Sequence, residues 1–180
     1  MNWLKANLNY SQDEFELIRY GLSSITMEAS KFLIMLVIFS IMGKTIEYVF
    51  GTFILLLLRI NTGGLHFSTY IGCLIFSIII LYLGCVYLPN QFELPQNGML
   101  ILLLACIILN CLIGPVVSKK RPEPTPSQIE KSKIATVKVI FLYFIAVSFF
   151  SKHSFIKIGF WVIVLQTVQL AFAYFLRKEN

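Results

Sequence analysis

The sequence predicts an all-α, polytopic membrane protein of about six transmembrane helices, preceded by an amphipathic interfacial helix region. Three observations carry this expectation. Of the 180 residues, 57% are apolar and 13% are charged, against about 25% charge in soluble domains. Mean hydropathy is +0.78, and Phe alone supplies 16 residues. The apolar positions fall in continuous runs, whereas a transmembrane β-barrel needs alternation along each strand. Too few polar side chains remain to cover a water-exposed globule. The same composition excludes disorder. Residues 1–180 therefore read as a single integral membrane domain.

Residues 1–24 are mixed rather than apolar. Leu4, Leu8, Phe15, Ile18 and Leu22 recur at near-helical intervals between Lys5, Asp13, Glu14, Glu16 and Arg19. That pattern predicts one or two amphipathic helices lying in the interface. It lacks the ordered basic, apolar and small-residue regions of a signal peptide. Six apolar stretches follow, near Ile25–Gly43, Thr45–Ile60, Phe67–Leu88, Met99–Val117, Ile134–Ser151 and Phe155–Leu176. A span needs roughly 20 residues. Only Gly43-Lys44 separates the first two stretches, which carry Glu28, Lys31 and Glu47. Two short tilted spans or one bent helix both fit there; six spans is the reading adopted.

Orientation follows from where positive charge collects. The connector 118–133 holds Lys119, Lys120, Arg121, Lys131 and Lys133, and the tail holds Arg177 and Lys178. The loop Pro89–Gly98 has neither Lys nor Arg. Connector, tail and both termini are therefore expected in the cytoplasm, and the Pro89 loop outside. Lys152 and Lys157 fall on the outer side as a minor violation. The same count puts the segment Arg59–Phe67 at the cytoplasmic face.

The ionisable residues exclude several chemistries. Asp13 is the single Asp, so no intramembrane aspartyl pair exists. Neither His66 nor His153 stands in an HExxH pattern, and no phosphate-binding glycine loop occurs. Cys73, Cys85, Cys106 and Cys111 lack paired CxxC spacing, so neither a metal site nor a cofactor is expected. A thiol at the cytoplasmic face stays reduced, and Cys85 has no partner in sequence, so no disulfide is expected. No nucleic-acid partner is expected either.

The most informative stretch is Arg59-Ile-Asn-Thr-Gly63-Gly64-Leu-His66, followed by Cys73. Adjacent glycines open backbone conformations closed to other residues and permit close approach of chain or substrate. Cys and His are the minimum pair for a thiol nucleophile, the imidazole taking the proton and the ion pair stabilising the thiolate. Residues seven apart on one helix share a face but stand about 10 Å apart along the axis. An unbroken helix would therefore defeat the pair. The glycines predict that His66 lies on a loop or helix start that folds back toward Cys73. A buried, inert Cys is the ordinary reading in an apolar span, and it is the one adopted for Cys85, Cys106 and Cys111.

Arg59, Gly64, His66 and Cys73, with their flanking spans, resemble the signature of the accessory gene regulator protein B family, membrane cysteine endopeptidases of bacterial quorum sensing. The likeness extends over most of the chain, including the exit at Gly114-Pro115 into the basic, Pro-rich connector. It implies a bacterial cell-membrane protein that cuts the C-terminal tail from a short propeptide at the cytoplasmic face. It further implies Cys73 as nucleophile, His66 as general base and then acid, and an acyl-enzyme thioester. Attack on that thioester by a Cys or Ser of the precursor closes a thiolactone or lactone. A homodimer in the lipid bilayer is implied as well.

Around that pair, Arg59, Gly63 and Gly64 are the candidate support residues. Arg59 fits a precursor carboxylate, a loop-orienting role or simple snorkelling at a helix end. An amide such as Asn61, Gln166 or Gln169 could complete a triad, since Glu47 falls near the opposite face. Gln166 and Gln169 are costly against lipid and are expected to face a helix or the substrate groove. Lys119, Lys120 and Arg121 are candidate substrate-binding positions. The connector also fits a plain topogenic loop, or a site for anionic lipid at ~1 kcal/mol per basic residue. Pro122, Pro124 and Pro126 make it extended. His153 reads as an interfacial loop residue.

Two other classes fit the composition. A small six-helix solute transporter, or a transporter's substrate-binding component, could line a pocket with the intramembrane Gln residues, Asn110 and Glu47. A structural or regulatory bundle would leave His66 and Cys73 incidental.

Overall fold

A computed structural model of the chain describes residues 12–65, 69–116 and 124–178. Within them the chain forms α1 (Gln12–Ile41), α2 (Thr45–Thr62), α3 (Tyr70–Tyr82), α4 (Gln96–Ile113), α5 (Pro126–Phe150) and α6 (Ser154–Lys178). α3 runs on through one π-helical turn, Leu83–Tyr87, into a last α-turn ending at Gln91. All six are long and apolar enough to cross a membrane. Helices suit that setting because each satisfies its own backbone polar groups without water.

α1 is unbroken from Gln12 to Ile41, so no structural boundary separates Ser24 from Ile25. Gly21 has open space around it and does not break the helix. The part of the expected amphipathic region at residues 1–11 lies outside the described residues. Between α1 and α2 the chain turns sharply: Gly43 adopts φ 66°, and Lys44 N–H donates to Phe39 O at 2.8 Å. The first two stretches are therefore two helices rather than one bent one.

Local sequence explains the other helix ends. Thr125 opens α5 through a reciprocal capping box, in which Gln128 N–H donates to Thr125 Oγ1 and Thr125 N–H donates to Gln128 Oε1. Pro126 fills the position whose N–H has no helical partner. Gly63 and Gly114, both at φ 71°, close α2 and α4.

α6 is the central helix, packed against α2, α3, α4 and α5. Its Phe160, Ile163 and Leu170 are fully buried. Tyr48 lies flat on Phe39 with ring centres 4.8 Å apart and donates to Phe32 O. Glycines let the helices close in: a Cβ at Gly51 would stand 2.2 Å from Cys85 Sγ, and one at Gly159 would stand 2.1 Å from Tyr143 Oη. Large apolar side chains such as Val37, Phe53, Ile101, Leu142 and Phe172 point outward, as lipid-facing positions do.

The two ends of the bundle differ in kind. At one end, Phe50 packs on Phe155, Phe92 packs on Trp161, and Lys157 pairs with Glu93 at 3.2 Å. That pairing gives one of the outlying lysines a counter-charge. At the other end polar contacts dominate, and a small apolar cluster of Val116, Leu170 and Ala173 underlies them.

Candidate active site

The polar end is organised by the exit of α2. Gly63 N–H donates to Arg59 O at 2.9 Å, and the positive φ of Gly63 turns the chain out of the helix. Gly63 then runs beside Val116 just past α4, with Val116 N–H donating to Thr62 O at 2.9 Å. A Cβ at Gly63 would lie 2.2 Å from Val116 O. Glycine is needed here twice, for conformation and for space.

Two further elements hold the same turn. Gln166 of α6 donates from Nε2 to Thr62 Oγ1 and to Gly63 O, both at 3.0 Å. Arg59 donates from Nη2 to Leu65 O at 3.2 Å. The backbone of Gly64 is packed among Gln169 Oε1, Arg59 Nε and Gln166 Nε2, which lie 3.5, 3.7 and 3.7 Å from where its Cβ would be. The Oε1 atoms of Gln166 and Gln169 are buried here without a hydrogen-bond partner. Arg59, Gly63, Gly64, Gln166 and Gln169 are thus one cluster, drawn from α2, its exit and α6.

Cys73 sits on the next helix. Thr69 caps α3 by accepting from Gly72 N–H, and Cys73 N–H donates back to Thr69 O at 3.2 Å. The thiol is buried, and its sulfur accepts from Lys31 Nζ of α1 at 3.3 Å. Lys31 also pairs with Glu28 one turn earlier on α1. Beside it, Ser30 Oγ and Tyr70 OH are 2.8 Å apart and tie α1 to the start of α3. His66, Lys119, Lys120 and Arg121 lie outside the described residues.

The remaining candidates are elsewhere. Asn61 spends its amide on Leu57 O of its own helix. Glu47 pairs with Lys44 in the first turn of α2, the end opposite Arg59. Asn110 joins α4 to α6 by donating to Thr167 Oγ1 at 3.0 Å. His153 lies in the turn between α5 and α6 with its ring stacked on Phe155. All four cysteines are free. Sequence reasoning passed over Lys31 as one charge within an apolar stretch. The signal was available, because an ionisable side chain inside a span marks a functional position by default.

The accessory gene regulator B family matches residues 1–170. An AgrB-like protein of Clostridium beijerinckii is 27% identical over 147 residues, which cover 82% of this chain and 63% of that protein. An accessory gene regulator protein B of Staphylococcus carnosus (strain TM300) is 30% identical over 98 residues, covering 54% of this chain and 50% of that protein. The chain thus spans less than two thirds of the curated relatives it matches. No solved structure matches it.

Proposed function

The chain belongs to the accessory gene regulator B family, and on that premise we propose that it is a membrane cysteine endopeptidase acting on a short quorum-sensing propeptide. In this reading Cys73 Sγ attacks the scissile carbonyl while His66 takes the thiol proton. The C–N bond breaks, the amine of the C-terminal tail leaves with that proton, and an acyl thioester remains on Cys73. A Cys or Ser side chain within the precursor then attacks the thioester and passes its proton to His66. A thiolactone or lactone forms, and Cys73 is released. Passing the acyl group from sulfur to sulfur keeps its activation, which hydrolysis would discard. Shielding by the bilayer limits competing water.

The observation that carries this reading is the helix start at Tyr70. No continuous helix from residue 66 to residue 73 fixes the pair about 10 Å apart. The held turn at Gly63–Gly64 supports it as well, because Arg59 and Gln166 constrain the segment that leads to His66. Among the three roles open to Arg59, its bond to Leu65 O favours orienting that segment. The connector residues Lys119, Lys120 and Arg121 are proposed to attract the acidic tail of the precursor, with Gln166 and Gln169 at the groove. A homodimer with its site and both termini on the cytoplasmic side completes the proposal.

The test is mass spectrometry of a candidate precursor, encoded beside this chain, after co-expression with wild type, Cys73→Ser and His66→Ala. Wild type should release the tail and leave a fragment one water lighter than the linear product. Both changes should vanish in each variant. Cleavage that survives Cys73→Ser overturns the mechanism, whereas a confirmed cognate precursor left intact by wild type favours the transporter reading.

A further inference from the structure

We propose that Lys31 is the positioning residue of the nucleophile: its buried ammonium holds Cys73 Sγ and stabilises that sulfur as an anion. The inference rests on the reading that Cys73 is the nucleophile. It starts from a cost. Lys31 is 4% exposed within the span Gly21–Ile41, where an ammonium is expensive unless it is paired. A lysine that needed only a counter-charge could satisfy it with Glu28, which is largely exposed. Lys31 does more. Its Nζ reaches 42 residues along the chain to a sulfur atom at 3.3 Å.

A neutral thiol is a weak acceptor, whereas a thiolate is a strong one. An ammonium buried against this sulfur therefore gains far more from the anionic form. The surroundings keep the two groups in place. The Ser30–Tyr70 hydrogen bond fastens α1 to α3 one residue away from Lys31. Thr69 fixes the first turn of α3, and the positive end of that helix adds in the same sense. Among the described residues, Glu28 pairs with Lys31 and Tyr70 bonds the adjoining Ser30. The buried polar side chains that α6 contributes, Gln166, Thr167 and Gln169, are uncharged.

The same ammonium serves both halves of the proposed cycle. It favours the attacking thiolate first. Later, when the precursor's nucleophile displaces Cys73 from the thioester, it receives the negative charge returning to sulfur. In this scheme the proton transfers belong to His66, and Lys31 acts by position and charge.

The experiment is iodoacetamide alkylation of the purified full chain in detergent at pH 7, read at the Cys73 peptide by mass spectrometry. Cys111, exposed on α4, is the reference thiol in the same molecule. Lys31→Met should slow Cys73 about tenfold and leave Cys111 unchanged, while Lys31→Arg should restore most of the rate. An unchanged rate in Lys31→Met overturns the proposal. So does a loss that Lys31→Arg fails to rescue and Glu28→Gln reproduces, or one that Cys111 shares, since each makes Lys31 a structural residue. Alkylation needs no precursor. If it responds as expected while wild type cuts no cognate precursor, the peptidase reading fails and the Lys31–Cys73 pairing stands. If cleavage is present, Lys31→Met should lower kcat with KM little changed.

Discussion

The side-chain amide of Gln166 donates to the carbonyl oxygen of Gly63 at 3.0 Å, joining the sixth helix to the exit of the second. Together with the bond to Thr62 Oγ1, it places the polar end of α6 directly on the backbone that precedes His66. A carbonyl in that position, shielded from water, has few other donors to turn to. Removing the donor costs two hydrogen bonds, at about 0.5–1.5 kcal/mol each, while Thr62 Oγ1 remains 3.3 Å from the same carbonyl as its other donor.

Gln166→Leu should therefore destabilise the bundle by about 1–3 kcal/mol, and Gln166→Glu should also lose the donor. Thermal unfolding in detergent, followed by Trp fluorescence, checks this. Unchanged melting in both variants would show that the amide does not hold the turn.

Gly63 and Gly43 share a positive φ but differ in surroundings. Nothing stands within 4 Å of a Cβ at Gly43, whereas Val116 O stands 2.2 Å from one at Gly63. Gly43→Ala should cost about 1–2 kcal/mol from conformation alone. Gly63→Ala should cost at least about 1 kcal/mol more, because backbone must move. Equal losses in unfolding experiments would remove the argument from close approach.

At Gly51 the obstruction is a single sulfur. The nearest atom to an added Cβ is Cys85 Sγ at 2.2 Å, and the next is Val162 Cγ2 at 3.5 Å. Gly51→Ala should destabilise by about 1–3 kcal/mol. In a Cys85→Ala background the same change should become neutral or stabilising, since Ala exceeds Gly in helix preference by about 1 kcal/mol. A double-mutant cycle without coupling would contradict the packing described.

Orientation is open to direct labelling. A cysteine introduced at Asn97, in the first turn of α4, should react with a membrane-impermeant maleimide added outside intact cells. One introduced at Glu130, near the start of α5, should react only after the membrane is opened. The reverse pattern would put the Arg59–Gly64 turn on the wrong face for a cytoplasmic precursor.

Much of the fold was readable from residue order alone. Continuous apolar runs give six helices because lipid leaves the backbone no other way to satisfy itself. Gly43, Gly63 and Gly114 mark turns, and Thr125-Pro126-Ser127-Gln128 spells out a capping box. The cluster of Arg59 and the glycines was legible too, since those residues adjoin in sequence. Its remaining members were harder to assign. Gln166 and Gln169 announced that they avoid lipid but not which backbone they meet, a contact more than 100 residues away. Lys31 and Cys73 are joined only by packing of α1 on α3, which no local pattern encodes. The continuity of α1 through Ser24 was masked by the change from mixed to apolar composition, which alters what a helix faces without ending it.

The central place of α6 has a consequence for how the molecule is made. Translation runs from the N-terminus, so α6 leaves the ribosome after the four helices it packs against. The glycine turn and the helix bearing Cys73 enter the membrane before Gln166 and Gln169 exist. A nascent chain halted ahead of α6 holds the thiol, the lysine and the loop, but lacks the amides that fasten the loop. Assembly of this end of the protein therefore waits until α6 has been made.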